Sequence, residues 1–188
     1  MTKEVIIAIC IGIGLSASTG FRVFIPMLAA SVAGYFKIIP LNDSFSWLAG
    51  APALISFATA AVVEIIAYYI PVVDHFLDIL TTPLALVAGT LLTASVIPSD
   101  SEWMKWGLGI LLGGGSAGVV QAGTVVTRMI TGKTTLTTGN AVVATGENAG
   151  AVAGSGLTLL APVVAAVLFI LFIGWIISKL IKKRKKKI

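Results

Sequence analysis

AVAGSGLTLLAPVVAAVLFILFIGWIISKLIKKRKKKI, residues 151 to 188, decides what kind of protein this is. Ala151 to Ile177 carries no charge, and at about 1.5 Å per residue a helix of that length crosses a hydrocarbon core of roughly 30 Å. Directly beyond it come Lys182, Lys183, Arg184, Lys185, Lys186 and Lys187, and basic residues at a membrane exit mark the cytoplasmic side. The junction predicts a multi-pass protein of the cell membrane, with one transmembrane domain over residues 1–178 and a basic cytoplasmic tail over 179–188.

Composition points the same way. Hydrophobic residues make up 57% of the chain before its 20 glycines are counted, against roughly 45 to 50% with glycine included in soluble domains. The net charge of +5 looks like a nucleic-acid signal until it is divided, because the tail alone holds six cations. The remaining seven Lys and Arg face eight Asp and Glu, so the body offers no basic groove and nucleic acid is excluded as a partner. Membrane lipids are the expected partner, with the tail an orientation signal and an anchor for anionic headgroups. Cys10 is alone, which rules out an intramolecular disulfide and argues against a cysteine metal site. Lys3, the run Val5 to Leu15 and Ser16-Ala17-Ser18 resemble a signal peptide, but Glu4 argues against cleavage.

Apolar stretches run from Val5 to Phe36, Trp47 to Ile70, Leu77 to Ile97, Met104 to Ile130, and Ala151 to Ile177. The first is too long for one crossing, since some 32 helical residues would measure about 48 Å. Ser16, Ser18, Thr19, Gly20 and Arg22 interrupt it, and Pro26 follows, so a broken helix or re-entrant hairpin is expected. Trp47, Trp103, Trp106 and Trp175 fall near segment ends, where interfacial aromatics belong.

TGKTTLTTGNAVVATGENAG, residues 131 to 150, has the composition of an external loop. Yet Arg128 and Lys133 mark its start as cytoplasmic, and the tail puts the end of the last segment on that same side. One crossing cannot join two cytoplasmic ends, so the stretch is expected to re-enter the membrane as irregular backbone lining a protected cavity. There is also an internal echo: Gly14, Ser16 and Ala17 recur as Gly114, Ser116 and Ala117, followed by Arg22 and Arg128, and Pro83 and Pro162 interrupt the closing segments. The pattern suggests two repeated halves, residues 1–97 and 104–178, with a site between them.

Gly14-Leu15-Ser16-Ala17-Ser18-Thr19-Gly20-Phe21-Arg22-Val23-Phe24-Ile25-Pro26, then Glu64, then Pro71-Val72-Val73-Asp74 with Asp78 and Pro83, resembles the bacterial integral membrane family catalogued as domain of unknown function 4126. The resemblance runs from about Gly14 to Pro162. Gly139-Asn140 and Glu147 fall at that family's acidic motif, with Ala141 and Asn148 standing where Pro and Asp are expected. It implies a polytopic membrane fold and supplies no biochemical activity.

Ionisable residues within apolar segments are the candidates for function, because a charge inside a bilayer needs a partner, water or the interface. Arg22 reads either as an anion contact near a broken-helix end or as a snorkelling interfacial cation. Glu64 reads as a proton or cation site or as a salt-bridge partner for Arg22. Asp74 and Asp78 share a helix face with Thr82, and two close carboxylates must share a proton, hold a cation or meet an arginine. Ser16, Thr19, Arg128, Asn140 and Glu147 complete the expected ion or substrate pathway. His75 points off the Asp74 face and is a poor co-ligand. Gly146, Gly150 and Gly154, with Gly109, Gly113, Gly114 and Gly118, are expected to pack helices closely.

Several motifs fail. Gly132-Lys133-Thr134 lacks the upstream phosphate-loop glycine, which falls on Thr127. Gly12-Ile13-Gly14 follows no strand. One histidine, His75, supports no histidine metal cluster, and no activated nucleophile is visible, so no cofactor, no metal and no enzyme activity are expected. The chain is therefore read as an all-α, polytopic helical membrane protein with broken or re-entrant helices. The leading functional expectation is a small transporter or channel-like permease for a small ion or anionic solute. The alternative is a structural or assembly protein whose buried charges are static salt bridges. Homo-oligomerisation stays open.

Overall fold

The polar interruption at Gly20 to Arg22 does break the first apolar run. A computed structural model describes residues 3–135 and 138–185, with side chains at all of these except 71, 72, 75, 132–135, 138, 180 and 182–185. The readings placed on His75, on Lys133 and on the tail cations from Lys182 onward lie outside the described side chains. Helices α1 (Lys3–Thr19), α2 (Phe24–Tyr35), α3 (Ala51–Ala67), α4 (Pro71–Val96), α5 (Glu102–Leu108), α6 (Gly115–Thr135), α7 (Thr138–Leu160) and α8 (Pro162–Lys185) follow one another, with no strand among the described residues. A 3₁₀ segment, Asp43–Ala49, precedes α3, and a π-helical segment, Gly109–Gly114, joins α5 to α6.

Three helical stretches are long and apolar enough to cross a membrane: Phe76–Val96, Glu102–Thr131 and Pro162–Lys179. The bent pair Asp43–Ala49 and Ala51–Ala67, which turns by 59°, makes a fourth if it is one span. The protein is an all-α polytopic fold, and its apolar helices suggest membrane embedding.

Prolines set the boundaries in different ways. Pro71 and Pro162 begin α4 and α8, where the missing N–H would have had no helical partner. Pro83, expected to interrupt its segment, sits inside α4 and does not end it. Its counterpart Pro162 does break the chain: Ala161 alone separates α7 from α8. The two helices fold back on each other there, so that a Cβ on Gly154 would lie 2.7 Å from the ring tip of Phe169. Ala151 to Ile177 is therefore not one crossing but the two arms of a helical hairpin.

That hairpin resolves the topological conflict. Residues 131–135 close α6 and residues 138–150 open α7, so the described residues of the Thr-, Gly- and Asn-rich stretch are regular helix, neither exposed loop nor irregular backbone. Gly146 on α7 and Lys179 on α8 border one groove, which places the start of α7 and the end of α8 at the same end of the bundle. The basic tail, expected to begin as a separate element at 179, continues α8 as far as Lys185.

Helices α1 and α6 both run antiparallel to α4. Gly12 and Ser16 of α1 meet Thr93 and Gly89, while Thr19 reaches the Ala85 carbonyl at 3.2 Å. Gly113 meets the same Gly89 from the other side, with a hypothetical Cβ 2.2 Å from its carbonyl oxygen. Small residues thus let three backbones converge, as bilayer-embedded helices require in place of a hydrophobic drive. At the far end, Asn42 Nδ2 donates to the Ala94 and Ile97 carbonyls, both at 2.8 Å, and satisfies orphan acceptors at the end of α4. Arg22, the start of α4, the end of α6 and the end of α8 share the opposite end, called the tail end below.

Gly113→Ala should lower the melting temperature in detergent, because its methyl meets backbone that cannot swing aside, at a cost of about 1–3 kcal/mol. Gly146→Ala meets nothing within 4 Å and should stabilise by about 0.5–1 kcal/mol through helix propensity. Thermal unfolding of the two variants side by side checks both signs.

Candidate functional site

Arg22 occupies the gap between α1 and α2 and is 1% exposed. A permanent cation so placed must spend its donors inside the protein. Its Nη1 donates to Glu147 at 2.9 Å and to the Phe21 carbonyl at 3.3 Å. Nη2 donates to the Ala144 carbonyl at 3.2 Å, and Nε to Asn148 Oδ1 at 2.6 Å. Its ion-pair partner is therefore Glu147 of α7, not Glu64, which the sequence had offered.

Arg128, on α6, is buried too, at 4% exposure. Its Nε donates to Glu147 Oε1 at 3.0 Å and its Nη2 to Glu147 Oε2, a bidentate pairing. Its Nη1 donates to Asp74 of α4, with Asp78 Oδ1 3.6 Å away. Asn140 Nδ2 donates to the second oxygen of Asp74 at 2.9 Å. Asp74, for which a solvated helix start was the plain alternative, is buried, while the Asp78 side chain keeps 20% exposure at the edge of the network.

Tyr68 lies between the two cations. Its ring centroid is 3.7 Å from the Arg22 guanidinium carbon and 4.3 Å from that of Arg128, so both charges sit over the aromatic ring. The ring is fixed by its hydroxyl, 3.0 Å from Thr81 Oγ1. Thr81 donates to the Leu77 carbonyl at 2.8 Å, which leaves it to accept from Tyr68 and, at 3.3 Å, from Gln121 Nε2.

Glu64 serves a different purpose. Its Oε1 and Oε2 accept the backbone N–H groups of Val23 and Phe24 at 2.9 and 3.0 Å, so it caps the exposed start of α2 from α3. A carboxylate at a helix N-terminus satisfies orphan donors and complements the helix dipole. Pro26 lies in the same first turn, where its lack of an N–H costs nothing.

The structure brings Arg22, Asp74, Asp78, Arg128, Asn140 and Glu147 into one network and sets Glu64 beside it. Ser16 and Thr19 lie farther along α1: Ser16 Oγ donates to the Gly89 carbonyl at 2.6 Å and sits 2.8 Å from Thr93 Oγ1, and Thr19 Oγ1 donates to the Ser16 carbonyl at 2.7 Å. Thr82, expected to extend the Asp74 face, bonds back to the Asp78 carbonyl and is exposed. The sequence reading missed Tyr68, Thr81 and Gln121. Tyr68 follows Glu64 by four residues, the spacing that puts two helix residues on one face, and that was the available signal. No group of three or more His, Cys, Asp or Glu placed to hold a metal ion occurs among the described residues.

Three carboxylates, those of Asp74, Asp78 and Glu147, thus meet two guanidiniums, and the network links the α1–α2 gap to α4, α6 and α7. The matching family model, a domain of unknown function, DUF4126, covers residues 9–182. The chain belongs to this family. No curated protein and no solved structure matches it. In the DUF4126 chain described here, the residues at the family-like motifs, Arg22, Asp74, Asn140 and Glu147, are the ones that converge in space.

Glu147→Ala should be the most damaging single change in the network, since it removes the only carboxylate paired with Arg22 among the described residues and the bidentate partner of Arg128, with a cost of about 3–5 kcal/mol. Asp78→Asn should cost much less, because its carboxylate is partly exposed and farther from Arg128. Unfolding in detergent measured by far-ultraviolet dichroism gives the order of the two.

Proposed function

We propose that the protein is a small multi-pass permease of the cell membrane, carboxyl terminus cytoplasmic, that passes protons or small cations through its polar interior. The observation that carries this reading is the charge imbalance at the tail end of the bundle, where the buried Glu64, Asp74 and Glu147 outnumber Arg22 and Arg128 and the partly exposed Asp78 adds a fourth carboxylate at the edge. Buried surplus acid must bind a proton or a cation, or else stay costly. Asp78, whose side chain is 20% exposed at the edge, is where such an ion enters the network.

An anionic cargo is disfavoured by the same geometry. Each guanidinium nitrogen of Arg22 and Arg128 already donates to a protein acceptor. From the network a file of buried hydroxyls leads toward the far end: Thr81, Thr19, Ser16, Thr93 and Ser95, all 4% exposed or less. Thr93 and Ser16 bond directly, which supplies one link of a hydrogen-bonded path through otherwise apolar helix interfaces. This reading gives the residues no catalytic step.

A second reading draws on the pairing of every guanidinium nitrogen of both arginines: such a network is also what a static clamp between helices would need. The two separate in proteoliposomes holding a pH-sensitive dye. The permease reading expects ion-driven dye response from the intact protein and a response near that of empty vesicles from Asp78→Asn at unchanged melting temperature. Equal response from both variants removes Asp78 from the path, and no response from either leaves the clamp.

Sidedness has its own test. In a Cys10→Ser background, Ser178→Cys should label from the cytoplasmic face and Trp103→Cys, at a position 91% exposed, from the opposite face. Labelling of both from one side contradicts the proposed orientation.

A further inference from the structure

Below the ion network, α6, α7 and α8 enclose a groove of about 820 Å³ that the permeation reading does not use. Its walls are Val126 and Ile130 of α6, Val143 of α7, and Phe172 and Ile176 of α8, and its deep end is closed by Phe21 and Val120. Glu147 borders the groove, yet both its oxygens are taken by Arg22 and Arg128, so no free carboxylate faces an occupant. From Val120 to Ile130 α6 rises by ten residues, about 15 Å, which is half of a hydrocarbon core of roughly 30 Å. The groove is as deep as one leaflet.

Its rim carries charge of one sign. Lys179 borders the groove, with its ammonium 5.5 Å from the Trp175 ring and no ion pair among the described residues. In sequence the six tail cations follow within a few residues. Trp and Lys at the end of a crossing are interfacial residues, and cations there attract anionic headgroups. The same charge argues against a second copy of this chain as occupant, because packing two such rims together would oppose like charges.

We propose that this groove binds an anionic phospholipid of the leaflet at the tail end, with one acyl chain between α6, α7 and α8 and the phosphate at Lys179. Gly146 borders the site, and a Cβ there meets nothing within 4 Å, so a side chain grown from it starts in open space at the groove. The inference stands apart from ion permeation, and flux can survive its failure.

The test uses the full chain purified in detergent, mixed with equimolar phosphatidylglycerol and phosphatidylcholine, and read by native mass spectrometry. Wild type should retain one phosphatidylglycerol in preference to phosphatidylcholine. Gly146→Phe should lose the bound lipid while keeping the wild-type helical dichroism. Thr127→Phe, placed on the opposite wall, should do the same and covers the case in which Gly146→Phe does not fold. Lys179→Gln should keep a lipid but lose the preference for the anionic one. Retention unchanged in both phenylalanine variants would place the lipid on the tail alone and overturn the proposal. Equal retention of the two lipids by wild type, or a dimer that the phenylalanine variants abolish, would overturn it as well.

Discussion

A single carboxylate, that of Glu147, holds two arginines that would otherwise repel each other inside an apolar bundle. It pairs with Arg22 from the α1–α2 break and with Arg128 from α6, while Asp74 ties Arg128 to α4. Burying such charges is unfavourable unless every one is paired and hydrogen-bonded, so the helices that bring these groups together are not free to shift independently. This explains why α7, whose sequence is rich in Gly, Ala and Thr, packs against α1, α2, α6 and α8. Its Gly and Ala positions allow close neighbours, with Ala144 and Ala151 fully buried, and it carries the one acid that both arginines require.

The last turns of α3 add a second constraint with two residues on one face. Glu64 caps α2 and so fixes the gap in which Arg22 sits. Tyr68, one turn later, sets beside both guanidiniums a ring whose face favours cations. The broken first helix is thus not a local defect. It exposes backbone donors that Glu64 satisfies, and it delivers a cation to the place where α7 supplies the acceptors Ala144, Glu147 and Asn148.

Much of this was legible in the sequence, for identifiable reasons. The fold class followed from apolar length, and the α1–α2 break from Gly20, Arg22 and Pro26 within one run. The ionisable residues of the network stood out because charges in apolar segments demand partners. Their pairing did not, since Arg22 and Glu147 lie 125 residues apart and nothing local prefers Glu147 over Glu64. The Thr-, Gly- and Asn-rich residues 131–150 were expected to re-enter as irregular backbone, yet those described are helical, because helix propensity is a weak prior that tertiary contacts override. Pro83 and Pro162 looked alike in sequence; only the second sits where the next helix can turn back, against Gly154, and only there does the chain break. Small-residue stripes were read correctly as packing sites at Gly113 and Gly154, but Gly146 faces open space instead.

The claim at the centre of this account is that Arg128 and Glu147 are energetically coupled inside the bundle. A double-mutant cycle with Arg128→Met, Glu147→Gln and the double variant, measured by reversible unfolding in detergent, tests it most directly. The account predicts a coupling energy toward the upper part of the usual range of about 0.5–3 kcal/mol for interacting neighbours, with the double variant more stable than the sum of the single losses implies. Additive losses, with no coupling between the two positions, would contradict it.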